Sequence, residues 1–514
     1  QAAVTVTDIS TGASRQTKTN SDGAYEIFGL RSGTYKVGVQ AAGFAQREIS
    51  GVVVNGSSVV GVNLTLRVSS AHQEAVEVTA SAPPINTENS TIGETIGSTA
   101  VIDLPRDSRD VYSFLYLNPN ITQADEPGDF KFTGFQSYGA SFSLDGQRSS
   151  GGIFGAQTAS EPSLEAVDQI NVLSDNFSAE YAGIANIRIT TKRGTNQLHG
   201  SMFYNNVNSA LAATTVQDQI GKASFAPSPL QPKYPNPSFN INDLGGSLGG
   251  RVPKLGKTWF FMAYERDYNV APVYIQGTKV AHPDLYTGNF SALDPSVMPD
   301  VPAGVVLTPQ EQATDTYLGQ GQYFTQIPSR LLNPTVQSLI TKYFPQIGTS
   351  APLDPFTGQI PGTYQTSLPG RDTLDLGTLR LDHDFSDNDH VYVAYNASAE
   401  TNATSPVVAP YTGLGLTKNR RQNHTLNLSY TRVLRSNLVN EVRGGFNKEN
   451  LIRHSNTTLE GFLSGIGYDS SDISAYGSAV GSFALSTFGH PAINFSNDFA
   501  TFSNGGRNTY RPLS

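Results

Sequence analysis

Between about residues 240 and 450 the apolar residues fall on every second position, and this alternation constrains the fold more than any other feature. Leu244, Gly246 and Leu248 alternate with Gly245, Ser247 and Gly249. Leu379 and Leu381 lead into the turn Ser386-Asp387-Asn388-Asp389, and Val391, Val393 and Tyr395 return from it. Leu426, Leu428 and Tyr430 alternate with Thr425, Asn427, Ser429 and Thr431; past Arg435-Ser436-Asn437, Val442 and Phe446 alternate with Glu441, Arg443 and Asn447. A period of two means strands with two unlike faces. Short turns on one side and long connections on the other, over about 207–238 and 270–372, are the two ends of a barrel whose strands face lipid outside and a polar lumen inside.

Composition agrees with a β-rich chain. Of 514 residues, 38% are hydrophobic and only 15% charged, with 49 Gly, 29 Pro, 23 Tyr and 26 Phe; so aromatic a chain is not disordered. A net charge of −9 with no basic stripe argues against a nucleic-acid partner. The absence of cysteine removes thiol catalysis, thiolate metal sites and disulfides. No run approaches the ~18 apolar residues of a spanning helix, which excludes a helical membrane protein and leaves a barrel open.

Residues 1–68 read as a small antiparallel sandwich. Val4 and Val6 alternate with Thr5 and Thr7, Tyr35, Val37 and Val39 with Thr34, Lys36 and Gly38, and Val62, Leu64 and Leu66 with Asn63 and Thr65. Turn signals recur at Thr11-Gly12, Asp22-Gly23, Ser32-Gly33, Ala42-Gly43 and Asn55-Gly56. The run Thr19–Ile27, with Leu30, Gly33-Thr34-Tyr35 and Gly43-Phe44, resembles the carboxypeptidase regulatory-like fold, with its usual first strand expected before Val4. The name implies no peptidase.

Residues 69–84 read as a linker. Residues 85–196 follow, and their last stretch, Leu164 onward, predicts a short helix, a strand, a turn-rich link, a second strand and a hinge at Arg193-Gly194-Thr195. Ile170-Asn171-Val172-Leu173, Ser178-Ala179-Glu180-Tyr181, Ile187–Lys192 and Gly194-Thr195-Asn196 resemble the end of the plug domain in TonB-dependent outer-membrane receptors of the Oar-like branch. Ile102-Asp103-Leu104-Pro105, Arg109-Asp110-Val111-Tyr112, Leu115–Ile121 and Ser143–Arg148 resemble earlier plug elements, and residues 239–265 resemble a strand–turn–strand of the same branch. Asp145, in an Asp-Gly turn, is read as a turn former.

The resemblance implies a mainly β chain: sandwich, α+β plug, then over residues 197–514 the first part of a transmembrane antiparallel β-barrel. In the linker, Glu74, Ala75, Val76, Glu77, Val78, Thr79 and Ala80 resemble a TonB box, an extended segment that a TonB-type periplasmic energy-coupling protein grips by strand addition; an ordinary inter-domain strand is the alternative. Further expected partners are outer-membrane lipid and a cargo (oligosaccharide, peptide, protein or chelate) bound by extracellular loops and the plug, then imported or exported. The front domain is expected in the periplasm. With eight to ten readable strands and no terminal aromatic strand, the chain is expected to be an amino-terminal fragment.

Chemistry was sought and not found. The run ending Gly256-Lys257-Thr258 lacks the phosphate-loop glycine, having Arg251 in its place. The acidic run Asp382–Asp389 lacks the EF-hand glycine and glutamate; its histidines, His383 and His390, flank one turn where they could approach each other. No Gly-x-Ser-x-Gly elbow occurs. We therefore expect no enzyme, no cofactor and no metal. The aromatic run Trp259–Tyr264 is expected at the membrane-interface girdle, and a helix is expected behind Asn333-Pro334. Two rivals stand beside a transporter: an adhesion or assembly barrel that transports nothing, and a soluble β enzyme.

Overall fold

The computed structural model describes residues 1–55, 59–68, 76–79, 92–104, 109–123, 130–132, 134–136, 140–149, 161–177, 183–225, 227, 233–234, 238–278, 280–301, 304–313, 316–318, 321–343, 347–361, 364–404, 417–435, 438–455, 464, 467 and 508–510. The front unit is a sheet in which Ala3–Asp8 lies between Ser14–Lys18 and Gly33–Gln40, followed by Arg47–Val54, all antiparallel. Its alternate residues Val4, Val6, Tyr35, Val37, Val39 and Val52 form the core. The expected strand at Val62, Leu64 and Leu66 is extended and packs on that core without joining a ladder. It is tied to the sandwich by Tyr25 Oη to Val62 O (2.8 Å) and Arg47 Nη1 to Thr65 O (2.9 Å).

The next unit is a five-stranded mixed sheet. Ala140–Leu144 pairs parallel with Ala185–Thr191, which pairs antiparallel with Val167–Asp175; Ile92–Gly97 and Gln147–Arg148 take the two edges. A short helix Ser98–Asp103 and a 3-10 turn Val111–Leu117 cover one face. The 3-10 turn starts at Asp110, whose side chain accepts from Tyr112 N, an N-cap that relieves one orphan donor. Phe132, Phe142, Leu115, Leu144, Leu164, Ile170 and Ile187 are almost wholly enclosed in this unit's core. The predicted order of short helix, strand, strand and hinge over residues 164–195 matches Leu164–Ala166, Val167–Asp175 and Ala185–Thr191.

From His199 the described strands form one antiparallel meander of eight: His199–Asn208, Asn240–Arg251, Thr258–Thr278, Tyr364–Asp384, Asp389–Thr404, Thr417–Arg435, Leu438–Ser455 and Asn508–Tyr510. The sheet curves round the second unit and is not closed among the described residues. Its burial is inverted. Leu379, Leu381, Val393, Tyr395, Leu426, Leu428, Val442 and Phe446 are exposed on the convex face. Thr378, Arg380, Asp382, Asn396, Ser398, Thr425, Asn427 and Ser429, on the intervening positions, are buried. No water-soluble sheet gains by that arrangement, while a wall between lipid and a polar lumen does.

Two expectations about this wall are corrected. Trp259 and Phe261 are 2% and 1% exposed and face the lumen, so Phe260, Met262 and Tyr264 take the outward positions of that run. Trp259 Nε1 donates to Asn196 Oδ1 (3.0 Å), and Phe261 packs with Ala166 and Ala263; strand alternation splits the aromatic run between faces, and the plug supplies the inward partners. His383 and His390 also separate. His383 stacks edge-on with Phe385 and bonds Thr258 Oγ1, while His390 pairs with Asp384, because they sit seven residues apart in a hairpin whose register opposes His390 to Asp384.

The long connections are not bare loops. The pair Thr258–Thr278 and Tyr364–Asp384 holds 21 residues in each strand, about twice the 9–11 needed to cross a bilayer. It carries a small folded cap around Val280, Leu293, Leu307, Phe324 and Ile360, all buried. The helix expected behind Asn333 runs Pro334–Tyr343, and Gln337 N donates to Asn333 O (3.0 Å). A helix Val216–Ala223 in the first connection, capped by Thr215 Oγ1, was not legible. The nucleotide-like run is a hairpin turn, with Lys254 at φ 66° and Gly256 at φ 62°.

Candidate functional site: the seam between plug and barrel wall

The lumen-facing residues make two polar clamps. The first centres on Asp145. Its Asp-Gly turn holds φ at 49°, a conformation that Asp tolerates better than most side chains. The turn aims the carboxylate at the end of the plug's last strand, where it accepts from Thr191 N (2.8 Å) and Thr191 Oγ1 (3.0 and 2.9 Å). From the wall, Arg380 Nη1 approaches it at 3.5 Å and Asn396 Nδ2 at 3.4 Å. Arg380 also donates to Thr191 O (3.2 Å) and to both oxygens of Asp382 (2.9 and 3.1 Å). Its guanidinium lies 4.4 Å from the Tyr392 ring centre, and Tyr392 Oη donates to Asp145 O (2.9 Å). The period of two places 378, 380 and 382 on one face and 392 and 396 beside them, so Arg380, Tyr392 and Asn396 reach the plug turn while Thr378 and Asp382 brace Asn396 and Arg380.

The second clamp centres on Arg109. Its Nε and Nη2 donate to the two oxygens of Glu265 (2.6 and 3.3 Å), and Glu165 lies 3.5 Å away. Ser163 Oγ donates to Glu265 Oε2 (2.6 Å), Ser201 Oγ to Glu165 Oε2 (2.6 Å), and the guanidinium covers Phe203 at 3.8 Å. Glu161 accepts from Val111 N at 3.4 Å. Burial first, then the neighbouring Asp110 and Glu265 carboxylates, push its acid well above the usual carboxylate range. Wall amides complete the seam: Asn427 Nδ2 donates to Leu144 O (3.1 Å) and Asn447 Nδ2 to Arg148 O (3.5 Å).

The described apolar seam is small by contrast, a cluster of Ala166, Phe261 and Ala263. Water can replace hydrogen bonds of this kind, at a net cost of about 0.5–1.5 kcal/mol for a neutral pair and about 1.5–3 kcal/mol where a charged group takes part. A plug held this way is firmly placed yet separable from its wall. Asp145, expected to be a turn former only, is thus also the hub of the clamp. Arg109 was read only as part of a plug-like motif and Asp382 only as part of an acidic turn, and Glu265 and Arg380 were not given a role from the sequence. The available signal was charge inside an apolar alternation, as in Leu379-Arg380-Leu381-Asp382.

The candidate coupling segment takes an unexpected place. Val76, Glu77, Val78 and Thr79 form a strand paired parallel with the front sheet, in register Arg47↔Val76 to Ser50↔Thr79. It was expected extended and unpaired; it is extended, with one edge already occupied. Glu74, Ala75 and Ala80 lie outside the described residues, as does Ser178-Ala179-Glu180-Tyr181 of the plug-like stretch.

Comparison with known proteins agrees with this architecture. Residues 190–513 match the model of the outer membrane beta barrel domain, and residues 1–67 that of the carboxypeptidase regulatory-like domain. The TonB-dependent transporter Oar of Myxococcus xanthus is 26% identical over 272 residues, 51% of this chain and 24% of that protein. The chain therefore spans about a quarter of the length of the curated relative it matches. Among solved structures, the outer-membrane transporter YddB of Escherichia coli aligns over 70% of this chain and 39% of its own, with TM-score 0.43 and 11% identity. A ferric enterobactin receptor (PfeA) of Pseudomonas aeruginosa aligns over 72% and 42%, with TM-score 0.38 and 10% identity. Residues 190–513 being more than half of the chain, it belongs to the outer membrane β-barrel domain family, with a carboxypeptidase regulatory-like domain at its front.

Proposed function

We propose that this protein is a TonB-dependent outer-membrane receptor that takes cargo at its long-loop end and passes it through the barrel when the plug is pulled. The observation that carries the reading is the polar seam. A folded sheet sits inside an inverted barrel, clamped through Arg109–Glu265 and Asp145–Arg380 with little apolar contact, so a modest pull suffices to shift it. The pull would act on residues 74–80. Strand addition requires a free backbone edge, and pairing with Arg47–Ser50 leaves one edge of the Val76–Thr79 strand for a TonB-type partner.

The test is a pull-down of the periplasmic TonB domain with a peptide spanning Ser70 to Pro83, beside the same peptide carrying Val76→Pro and Val78→Pro. Proline removes the donors that strand addition uses. Binding of the first peptide alone supports energised transport; binding of neither ends the assignment of residues 74–80. In cells, deleting 74–80 from the full-length protein abolishes uptake if the reading holds. An adhesion barrel would keep its activity after that deletion.

A further inference from the structure

We infer that the front sandwich is a docked stopper, latched across the short-turn mouth of the barrel, and that the lumen opens only after this latch is released. Three sets of contacts carry the inference, and each joins the sandwich to a different part of the machine.

The first is to the connection between plug and barrel. Arg193 pairs with Asp8, their side chains 13% and 2% exposed. Asn196, three residues on, donates its backbone N to Ser10 O (3.1 Å) and its Nδ2 to Thr11 O (2.7 Å), while its Oδ1 accepts from Trp259 of the wall. One side chain thus bridges sandwich and barrel. The second set is to the wall. Arg31 Nη2 lies 3.2 Å from Asp384 Oδ2, and Asp384 is also bonded by His390 Nδ1 (2.6 Å), both at the end of the hairpin around Ser386–Asp389. Gly29 stands against Val439, at the start of the Leu438–Ser455 strand; a Cβ there would sit 3.4 Å from Val439 Cγ2. The third is to the plug sheet itself, where Ser32 Oγ donates to Asp168 Oδ2 (3.3 Å).

A domain on a loose tether would leave its ions in water. Here Asp8 and Arg193 are both taken out of water, which is tolerable only while each has the other. The docked position is therefore built into the sequence, and a plug held at Asp168, Arg193 and Asn196 cannot shift while the sandwich stays on the Asp384 hairpin.

The absence of cysteine from these 514 residues makes a clean test. The full-length protein carrying Ser10→Cys and Asn196→Cys is placed in a planar bilayer, with potassium chloride as the probe and a urea ramp on the short-turn side. The backbones of the two residues already meet, Asn196 N to Ser10 O at 3.1 Å, so the pair lies directly across the contact the latch depends on. The oxidised form is expected to stay shut at urea concentrations where its reduced form conducts. Arg31→Ala with Arg193→Ala is expected to raise open probability about tenfold or more at fixed urea. Failure of the resting protein to form the disulfide, or opening of oxidised and reduced forms at the same urea, would overturn the proposal. Oxidised and reduced forms are one polypeptide, so misfolding cannot imitate the expected result.

Discussion

The front sandwich and the barrel wall are written in the same alternating pattern and buried in opposite senses. In the sandwich, Val4, Val6, Val37 and Val39 point inward and are at most 5% exposed. In the wall, Leu379, Leu381, Leu426 and Leu428 point outward, while Thr425, Asn427 and Ser429 between them are at most 3% exposed. Periodicity specifies a strand with two unlike faces, and the medium on each side decides which face is the inside. The strongest ways to break this contrast are substitutions that treat one region as though it were the other.

The largest effect is expected at Arg380. A lumen cation paired with Asp382 and Asp145 is the counterpart of a hydrophobic core residue, so Arg380→Met puts into the wall's interior what the sandwich would welcome. It strands two carboxylates that are almost wholly buried, and removing one member of such a set costs about 3–5 kcal/mol. Urea unfolding of the protein in lipid vesicles should show the loss. Unchanged stability would mean that the clamp around Asp145 is solvated and holds nothing.

Next comes a matched pair on the outer faces. Val53 of the sandwich and Leu428 of the wall are 44% and 48% exposed. By accessibility alone they are equivalent. Leu428→Arg should destabilise the inserted barrel by about 2–4 kcal/mol if the residue lies near the bilayer midplane. Val53→Arg should stay within about 0.5 kcal/mol. Equal effects at the two sites would remove the distinction between lipid and water on which the membrane reading rests.

What was legible follows from the same contrast. The alternation at 244–248, 379–381 and 426–431 predicted strands correctly, and the turn at Ser386–Asp389 joins the pair it was expected to join; Ser436 and Asn437 of the next expected turn lie outside the described residues. The alternation could not say which aromatic side chains of Trp259–Tyr264 meet lipid, because that depends on the plug inside: Trp259 finds Asn196, and Phe261 finds Ala166. Clamp residues were illegible for a related reason. Arg109 and Glu265 lie 156 residues apart, and no local pattern joins them. The segment Val62–Leu66 shows the converse failure, where alternation was real and the ladder absent, because packing against a sheet face needs no edge partner.

Titration separates two carboxyls, Asp8 of the sandwich and Glu161 of the plug. Burial works against the Asp8 charge, but Arg193 and the Ser10 donors outweigh it and hold its pKa below the ordinary value. Its stabilisation is therefore full above about pH 3.9, the unfolded value, and is lost as pH falls through the lower folded value. Glu161, raised by burial and by Asp110, has the opposite sign. Its contribution is full below about pH 4.3 and declines as pH rises through the folded value. Hydrogen exchange should show the sandwich loosening from the barrel in acid, while Glu161→Gln should stabilise the plug at neutral pH and leave the acid limb unchanged. A sandwich that stays equally protected down to pH 2 would show that Asp8 contributes nothing to docking.

The smallest effect tests where the long-loop cap belongs. Its buried Leu293, Phe324 and Ile360 follow the sandwich rule of apolar inside, although it is carried on two wall strands. The short helix Pro309–Gln312 has a full capping box, in which Thr308 Oγ1 accepts from Glu311 N and Glu311 accepts from Thr308 N. Arg330 fastens the same carboxylate at 2.8 Å, and these bonds pull the Glu311 pKa down to about 2. Thr308→Ala removes one capping acceptor and should cost the cap about 0.5–2 kcal/mol, read as faster exchange over residues 304–313. Because cap and wall bury their side chains against different media, the 417–455 strands should not respond. A matching loss of protection there would mean that cap and wall unfold as one unit, and the boundary between the two kinds of packing would have to be drawn lower on the paired strands Thr258–Thr278 and Tyr364–Asp384.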